Sequence, residues 1–582
     1  MFRLFRFLKK KEWLFFFLSL FFIMSQVWLD LKLPDYMSQI TTFVEIDDNA
    51  MSQIWRSGGM MLLCSVGSLI SSVAVCFFAS MIAAGFSSRL RAAMYEKVET
   101  FSLEEISRFS TASLITRSTN DVMQVQLFVV MSLQIVVKAP LMAAWAIYKI
   151  AGKEWQWSLA TAITVVILII LLSVVMILTF PKFKRIQWLQ DGLNLAAREN
   201  LTGIRVVRAY NAESYQQDKF NKTNTELLKN QLFANGVMTV MNPFMTLAMN
   251  CLSMSIYWIG ALLINSAADY AARVDIFSNM IVFMSYAMQV IMSFLMMIVV
   301  FVIAPRAFVA ANRVNEVLDT EPSIVDGKGA PETGKKGEIE FRNVSFTYPG
   351  GSGSVLTDIS FKAYRGETVA FIGSTGSGKT TLINLIPRLY DATEGEVLVD
   401  GINVKDYKLQ ELYEKIGYVS QKAVMFSGSV ADNIAYGASA DREKLSLSLG
   451  IAHAEEFVDE LEEKTEAHVA QGGTNFSGGQ KQRMSIARAL CRDAEILIFD
   501  DSFSALDFKT DRELRDELKE KTAGVTKLIV AQRIGTIMSA DRIIVLNDGR
   551  QVGMGTHAEL LKTCDEYREI ALSQLSEEEL AI

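Results

Sequence analysis

Six apolar runs, near residues 13 to 33, 57 to 84, 127 to 148, 157 to 180, 238 to 264 and 278 to 303, restrict what this chain can become more than any other feature. Each is about 20 residues or longer, enough for roughly 30 Å of helix. In hydrocarbon a backbone satisfies its own N–H and C=O groups, so runs of this length cross a bilayer as helices. After about residue 335 the pattern turns to alternating strands and helices of soluble character. The 582 residues therefore divide into a membrane half and a soluble half, and a mean hydropathy of +0.24 with 51% hydrophobic residues is their average. The length alone suggests about three or four domain-sized units.

The segment before the first run sets Phe2, Leu4, Phe5, Phe7 and Leu8 among Arg3, Arg6, Lys9, Lys10 and Lys11, an amphipathic basic stretch suited to a membrane surface. No small-residue cleavage pattern follows it and five further spans do, so the first run is expected to be a retained helix rather than a signal peptide. Most cations of this half lie in the leading segment, in 85 to 126 and in 181 to 237. The connection 34 to 55 carries Asp35, Glu45, Asp47 and Asp48. By the positive-inside rule both termini are expected in the cytoplasm of a multi-pass protein of the cell membrane. Apolar residues recur at helical spacing through Leu103 to Val122 and Ala197 to Tyr210, so helices are expected to run on beyond the bilayer. The sixth run sets Met280, Met284, Met288, Met292 and Met296 at every fourth position, a row that winds by about 40° per step. It suits a promiscuous apolar cavity as well as ordinary packing or lipid contact. No charged pair stands out at the centre of a span. Five cysteines without a C-x-x-C pair read as small hydrophobes, and a net charge of −7 gives no footprint for nucleic acid.

In the soluble half, Thr368 to Ile372 reads as a strand, and Leu382 to Ile386 as a helix. Between them stand Gly373, Ser374, Thr375, Gly376, Ser377, Gly378, Lys379, Thr380 and Thr381. The glycines let consecutive N–H groups turn inward on a phosphate, Lys379 reaches the outer phosphates, and the Thr380 hydroxyl can hold Mg²⁺. This is a P-loop. Upstream, a Pro-, Gly- and charge-rich linker spans 321 to 338, then Ile339 to Tyr348 alternates as a strand. Tyr348 can stack on an adenine or serve as a strand aromatic. Downstream, Gln421 follows a strand, Ser477, Gly478, Gly479 and Gln480 open a helix, and Ala494 to Phe499 form a buried strand ending in Asp500 and Asp501. A carboxylate at the end of a buried strand beside a P-loop can hold the shell of Mg²⁺. A second anion site at the Ser477 helix start has no use in a single-site nucleotidase, which implies a nucleotide held between two domains.

In this order and spacing, Gly373 to Thr381, Gln421, Phe476 to Gln480, Ile496 to Asp501 and Ser504 to Asp507 resemble the Walker A, Q-loop, signature, Walker B and D-loop of an ATP-binding cassette (ABC) transporter. Ser113 to Asp121 and Glu199 to Tyr210 are similar to the cytoplasmic loops of ABC exporters, which carry short coupling helices. The chain thus resembles a half-transporter of the multidrug type: a membrane domain 1–320 with six helices, a linker 321–338, and an α/β P-loop cassette domain 339–575. The resemblance implies ATP with Mg²⁺, Tyr348 as the adenine-stacking aromatic, and Thr380, Gln421 and Asp500 about the metal, the last through water. It further implies that Ser477 to Gln480 and Asp507 serve the ATP of a second half-transporter across a head-to-tail dimer.

Two positions depart from that family. Asp501 stands where Glu is usual and Gln532 where the switch His is usual. The shorter Asp501 carboxylate is drawn back from the attacking water, and a displacement on the order of 1 Å can cost about a hundredfold in rate. Gln532 can bond a γ-phosphate but cannot become cationic. Binding survives and hydrolysis suffers. The expectation is one half of a heterodimeric exporter of amphipathic drugs or lipids, carrying a degenerate site and completing a competent site on its partner. A homodimeric lipid or peptide exporter and an ATP-binding regulatory subunit are the alternatives.

Overall fold

The structure, a computed structural model, describes residues 2–46, 51–151, 154–267, 269–329, 331, 333–437 and 441–576. Asp47 and Asp48 of the acidic connection and Ala330 and Glu332 of the expected linker lie outside the described residues. The chain forms two compact units, Met1–Lys97 with Ala112–Asp319, and Val98–Thr111 with Thr320–Ile582.

The first unit is helical. Its elements are α1 (Lys10–Ile46), α2 (Met51–Glu99), α4 (Thr111–Thr116), α5 (Val122–Met131), α6 (Lys138–Ala151), α7 (Trp155–Thr202), α8 (Ile204–Ala209), α9 (Glu213–Thr239), α10 (Met241–Ser266) and α11 (Tyr270–Asp319); the short α3 (Leu103–Phe109) groups with the second unit. Among the described residues, six stretches are long and apolar enough to cross a membrane: Lys10–Val44, Met51–Glu99, Thr111–Ala151, Trp155–Thr202, Glu213–Ser266 and Tyr270–Met297. The helices α2, α7 and α11 have 49, 48 and 50 residues, so each runs about 70 Å, well past the hydrocarbon.

The expected helix from Leu103 to Val122 is broken. Ser110 sits at φ 60° between α3 and α4, and Arg117–Asp121 is a π turn, as is Ser132–Val136 further along the third span. Such turns push side chains out of α-register and are common at functional sites.

The sixth span is the most buried. Met280, Phe283, Tyr286, Ala287, Val290 and Ile291 of α11 meet Ile23, Val27 and Leu31 of α1 and Leu252 and Ile256 of α10 in one apolar cluster. Gly260 of α10 admits the Met280 sulfur, since a Cβ there would lie 2.3 Å from it. The methionine row does wind: Met280 is buried, Met284 and Met288 half-buried, Met292 and Met296 exposed.

Charged pairs lie within the spans, which corrects the sequence reading. Asp30 of α1 accepts from Ser68 Oγ of α2 at 2.5 Å and stands 3.7 Å from Lys138 Nζ. Five residues on, Asp35 accepts from Lys149 Nζ at 2.8 Å and from the hydroxyl of the buried Tyr286 at 2.6 Å. The partners are up to 251 residues apart in the chain, so no local pattern announces them. A further pair joins the buried Glu12 to Arg89, whose Nε also donates to Phe7 O at 2.7 Å, and fastens the start of α1 to α2.

The second unit is α/β. Its strands are β1 (Ile339–Phe346), β2 (Leu356–Ala363), β3 (Thr368–Gly373), β4 (Glu394–Val399), β5 (Ile402–Asn403), β6 (Ile416–Val419), β7 (Gly428–Ser429), β8 (His468–Val469), β9 (Ile496–Asp500), β10 (Thr526–Val530), β11 (Arg542–Asn547) and β12 (Arg550–Gly555). An antiparallel sheet runs β2-β1-β4-β5, a small one pairs β7 with β8, and the main sheet runs β12-β11-β3-β10-β9-β6 with only β12 antiparallel. Both faces of the main sheet are covered: Phe371, Ile498 and Leu528 enter one core, and Ile372, Phe499 and Ile529 the other. That is why these strands read as continuous apolar runs. The strand predicted to Tyr348 stops at Phe346, two residues short.

Asp30 and Lys138 generate a stability prediction. Lys138→Met strands a carboxylate among apolar helices and is expected to cost about 2 kcal/mol, while adding Asp30→Leu restores most of it. Thermal unfolding of the three proteins in detergent checks this; an unchanged midpoint for Lys138→Met would show the pair to be idle.

Candidate nucleotide-binding site

The site gathers at the carboxyl ends of parallel strands, where loops of an open α/β sheet converge. β3 feeds the P-loop, β6 leads to Gln421, β9 ends at Asp500, and β10 leads to Gln532. Register does the assembling. Val530 pairs with Phe371 on one side and Asp500 on the other, Asp501 N donates to Val530 O at 3.0 Å, and Ala531 N to Phe371 O at 3.2 Å.

In the loop, Gly376 and Gly378 take φ of 87° and 93°, the left-handed region where glycine carries little strain. A Cβ on Gly378 would also lie 2.7 Å from Leu356 Cδ2, and one on Gly373 2.0 Å from Leu546 O. Lys379 Nζ donates to Gly373 O and Ser374 O, each at 2.8 Å, which curls the loop around its own ammonium. Ser374, Thr375 and Gly376 are exposed at the rim, and Ser377 is buried beneath it. Burial pushes the Lys379 ammonium below the usual lysine range, against the pull of Asp501 and Asp500. A desolvated cation held in a glycine-rich loop fits a polyphosphate.

Thr380 Oγ1 donates to Asp500 Oδ1 at 2.9 Å. Burial pushes the Asp500 carboxyl up, the Thr380 hydrogen bond opposes that, and Asp501 adds to it. Hydroxyl and carboxylate oxygens form a hard donor set that fits Mg²⁺ with its waters, and the ion would neutralise phosphate charge there. Tyr348 lies just past β1, its hydroxyl 2.9 Å from Thr381 Oγ1 and its ring edge-to-face with Tyr390 at 5.2 Å. It is thereby placed beside the P-loop helix.

The two unusual residues touch. Gln532 Nε2 donates to Asp501 Oδ2 at 2.8 Å, and Gln421 Nε2 donates to the same oxygen at 3.2 Å. Asp501 sits at φ 49°, a region that aspartate enters more readily than longer side chains. Sequence reasoning placed all three residues near the phosphates but did not foresee their contact.

Ser477 caps the helix Gly478–Leu490, in a capping box with Gln480: Ser477 N donates to Gln480 Oε1 at 2.9 Å and Gln480 N to Ser477 Oγ at 3.3 Å. Ser477 and Gly478 are exposed, and Gly479 lies close to Ala505 O. Asp507 caps the next helix, Phe508–Lys521, accepting from Thr510 N at 3.0 Å and Thr510 Oγ1 at 2.8 Å; these bonds hold its carboxyl below the usual range. Arg533, which the sequence did not single out, spans from the switch to this loop, donating to Ser504 O at 3.2 Å and lying 5.0 Å over the Phe508 ring.

Residues 16–294 match the ABC transporter transmembrane region, and 356–504 match the ABC transporter family. An uncharacterized ABC transporter ATP-binding protein of Bacillus subtilis is 34% identical over 566 residues, 96% of each chain. This chain belongs to the ABC transporters. Another uncharacterized ABC transporter ATP-binding protein, from Mycobacterium tuberculosis, is 40% identical over 460 residues, 78% of each chain. An ATP-dependent lipid A-core flippase of Pseudomonas aeruginosa is 32% identical over 454 residues, 77% of this chain and 73% of that one. The fold matches the structure of a bacterial Atm1-family ABC exporter with ATP bound, at a TM-score of 0.81 and 20% identity, covering 96% of this chain and 98% of that one. As an ABC exporter half-transporter, the chain carries its membrane-spanning helices and its ATP-binding domain in one polypeptide, and that domain implies ATPase chemistry.

The short α3 of this ABC chain groups with the ATP-binding unit. Ser102 caps it, and Glu105 accepts from Ser102 N at 2.8 Å, Ser102 Oγ at 2.6 Å and Ser323 N at 3.0 Å. Burial works to raise the Glu105 carboxyl, and those bonds prevail to hold it below the usual range.

Lys379 sets a pH dependence. Only the protonated amine pairs with phosphate, so ATP affinity is full below its lowered pKa and is lost as pH rises through it. The fall is expected to begin below lysine's ordinary 10.5 and to steepen to at most about tenfold per pH unit. Titration of a fluorescent ATP analogue from neutral to alkaline pH measures it; Lys379→Met should bind weakly without that dependence.

Proposed function

We propose that this chain is one half of a heterodimeric ABC exporter in the cytoplasmic membrane, with both termini in the cytoplasm, moving amphipathic, lipid-like compounds outward at the expense of ATP. In this reading its own Walker motifs, with Tyr348, Lys379, Thr380, Thr381, Gln421 and Asp500, bind ATP with Mg²⁺ and turn it over poorly. Ser477 to Gln480, with Ser477 and Gly478 exposed, and the exposed Asp507 complete the competent site of a partner that supplies the catalytic Glu and the switch His.

The observation that carries this reading is the state of Asp501. Its Oδ2 accepts two neutral amides, from Gln532 at 2.8 Å and Gln421 at 3.2 Å. A carboxylate that positions water and draws its proton works through a free oxygen aimed at the reacting centre. Here the shorter side chain is held back by the residue that replaces the switch His, and that residue cannot supply positive charge to the γ-phosphate. Amides still bind phosphate oxygens, so ATP affinity is retained.

The substrate class is supported by the flippase relatives and by α11. Met284 and Met288 are half-buried and Met292 and Met296 exposed, a soft apolar surface that adapts to varied hydrophobic groups. The cations of 85 to 126 and 181 to 237 support the orientation.

The test is ATP turnover of this chain co-purified with its partner half-transporter. Asp501→Asn is expected to leave at least about half of the turnover, whereas Glu→Gln at the partner's catalytic position should lower it about a hundredfold. The chain alone should bind ATP and hydrolyse it slowly. Equal damage from Asp501→Asn, or fast turnover by the chain alone, would instead make Asp501 a working base in a homodimer. ATP-dependent uphill movement of a dye in vesicles separates a transporter from a regulatory subunit.

A further inference from the structure

The switch residue is held from behind by a side chain far along the chain. Gln574 Nε2 donates to Gln532 O at 2.8 Å, and Gln574 Oε1 accepts from Ile534 N at 2.8 Å. One planar amide thus bonds the backbone on both sides of Arg533, at the point where the chain leaves β10 and enters the short helix Ile534–Ile537.

The clamp stands on a firm base. Gln574 lies two residues beyond the helix Asp565–Leu572, whose Tyr567 and Ala571 are fully buried in the same core as Ile534 and Ile537. Tyr567 is bonded to His557 Nδ1 at 2.7 Å, and the turn holding Gln574 closes through Gln574 N to Ala571 O at 3.1 Å and Leu575 N to Ala571 O at 3.0 Å. A glutamine that served only to cap its own helix would not need both amide atoms on a segment 40 and 42 residues away.

Gln532 also reaches forward to Asp501, so its side chain can bridge only while its backbone is fixed. Gln574 supplies part of that fixation, and Arg533, tied to Ser504 O and Phe508, supplies the rest from the other side. We propose that Gln574 is a positioning residue of the nucleotide site, acting through the Gln532 backbone to hold the switch amide at the distance where it meets Asp501 and a γ-phosphate. This rests on reading Gln532 as the γ-phosphate contact.

The test uses the full-length chain with Mg²⁺ and fluorescent analogues of ATP and ADP, together with hydrogen exchange of the peptide 531–537. Gln574→Ala is expected to speed exchange there and to lower the preference for ATP over ADP about fivefold, the loss of about one net hydrogen bond, with ADP affinity unchanged. It should cost nothing more in a Gln532→Ala background, because both act through one contact. Gln574→Glu keeps the acceptor for Ile534 N and loses the donor to Gln532 O, and should fall between. An unchanged preference, an equal fall for ATP and ADP, or an additive loss with Gln532→Ala overturns the role. A silent Gln532→Ala overturns the reading of Gln532 and the route through it; an active Gln532→Ala beside a silent Gln574→Ala overturns the clamp alone.

Discussion

The pairing of β10 between β3 and β9 is the constraint on which the nucleotide site depends. Val530 is in register with both Phe371 and Asp500, so the P-loop, the acidic strand end and the switch leave the sheet side by side. A slip of one residue would turn the alternating side chains of β10 to the opposite core and carry Gln532 away from Asp501. Two cores prevent that slip. Leu528 and Val530 are committed to one face and Ile529 and Ala531 to the other. The stability of the domain and the geometry of its chemistry are one requirement, expressed in the four consecutive buried residues 528–531.

The membrane unit faces a different cost. Its apolar helices gain little from one another by hydrophobic burial in lipid, so close packing and polar contacts must specify their arrangement. Gly260 against Met280 is the packing device, and Asp30 with Lys138 and Asp35 with Lys149 and Tyr286 are the polar ones. Paired charges inside a span are costly to form and more costly to separate, which gives them the power to select a register among otherwise similar apolar surfaces. The second π turn of the third span ends two residues before Lys138. Its extra residue per turn shifts the face on which that lysine emerges.

Six spans were legible in the sequence because length and hydropathy suffice when the solvent is hydrocarbon. The motifs were legible because phosphate binding needs particular residues at fixed local spacings: the P-loop within nine residues, the helix start Ser477 to Gln480 within four. What stayed hidden is what the chain brings together from a distance. Asp35 and Tyr286 lie 251 residues apart and Gln574 lies 42 from Gln532, and no periodicity encodes either pair. The break at Ser110 was hidden for another reason. Apolar spacing continues across it, while the positive φ of Ser110 at the end of α3, where its N–H closes on Ile106 O, leaves no periodic mark in the sequence.

The contact between Asp501 and Gln532 also changes how their rarity weighs. Read as separate positions, two departures at two hydrolytic sites look like two independent losses. In the structure they share one hydrogen bond, so either residue alters the setting of the other, and the pair counts as a single physical change. The weight therefore moves from coincidence to geometry. A glutamate at 501 would push one more methylene toward the two amides that now close on Oδ2, and a histidine at 532 could answer it as donor and cation at once. The aspartate and glutamine fit each other as a short acceptor and a neutral donor. On the proposed reading, such a pair keeps a buried, hydrogen-bonded carboxylate beside a neutral donor, without the positive charge and reach of a glutamate and histidine.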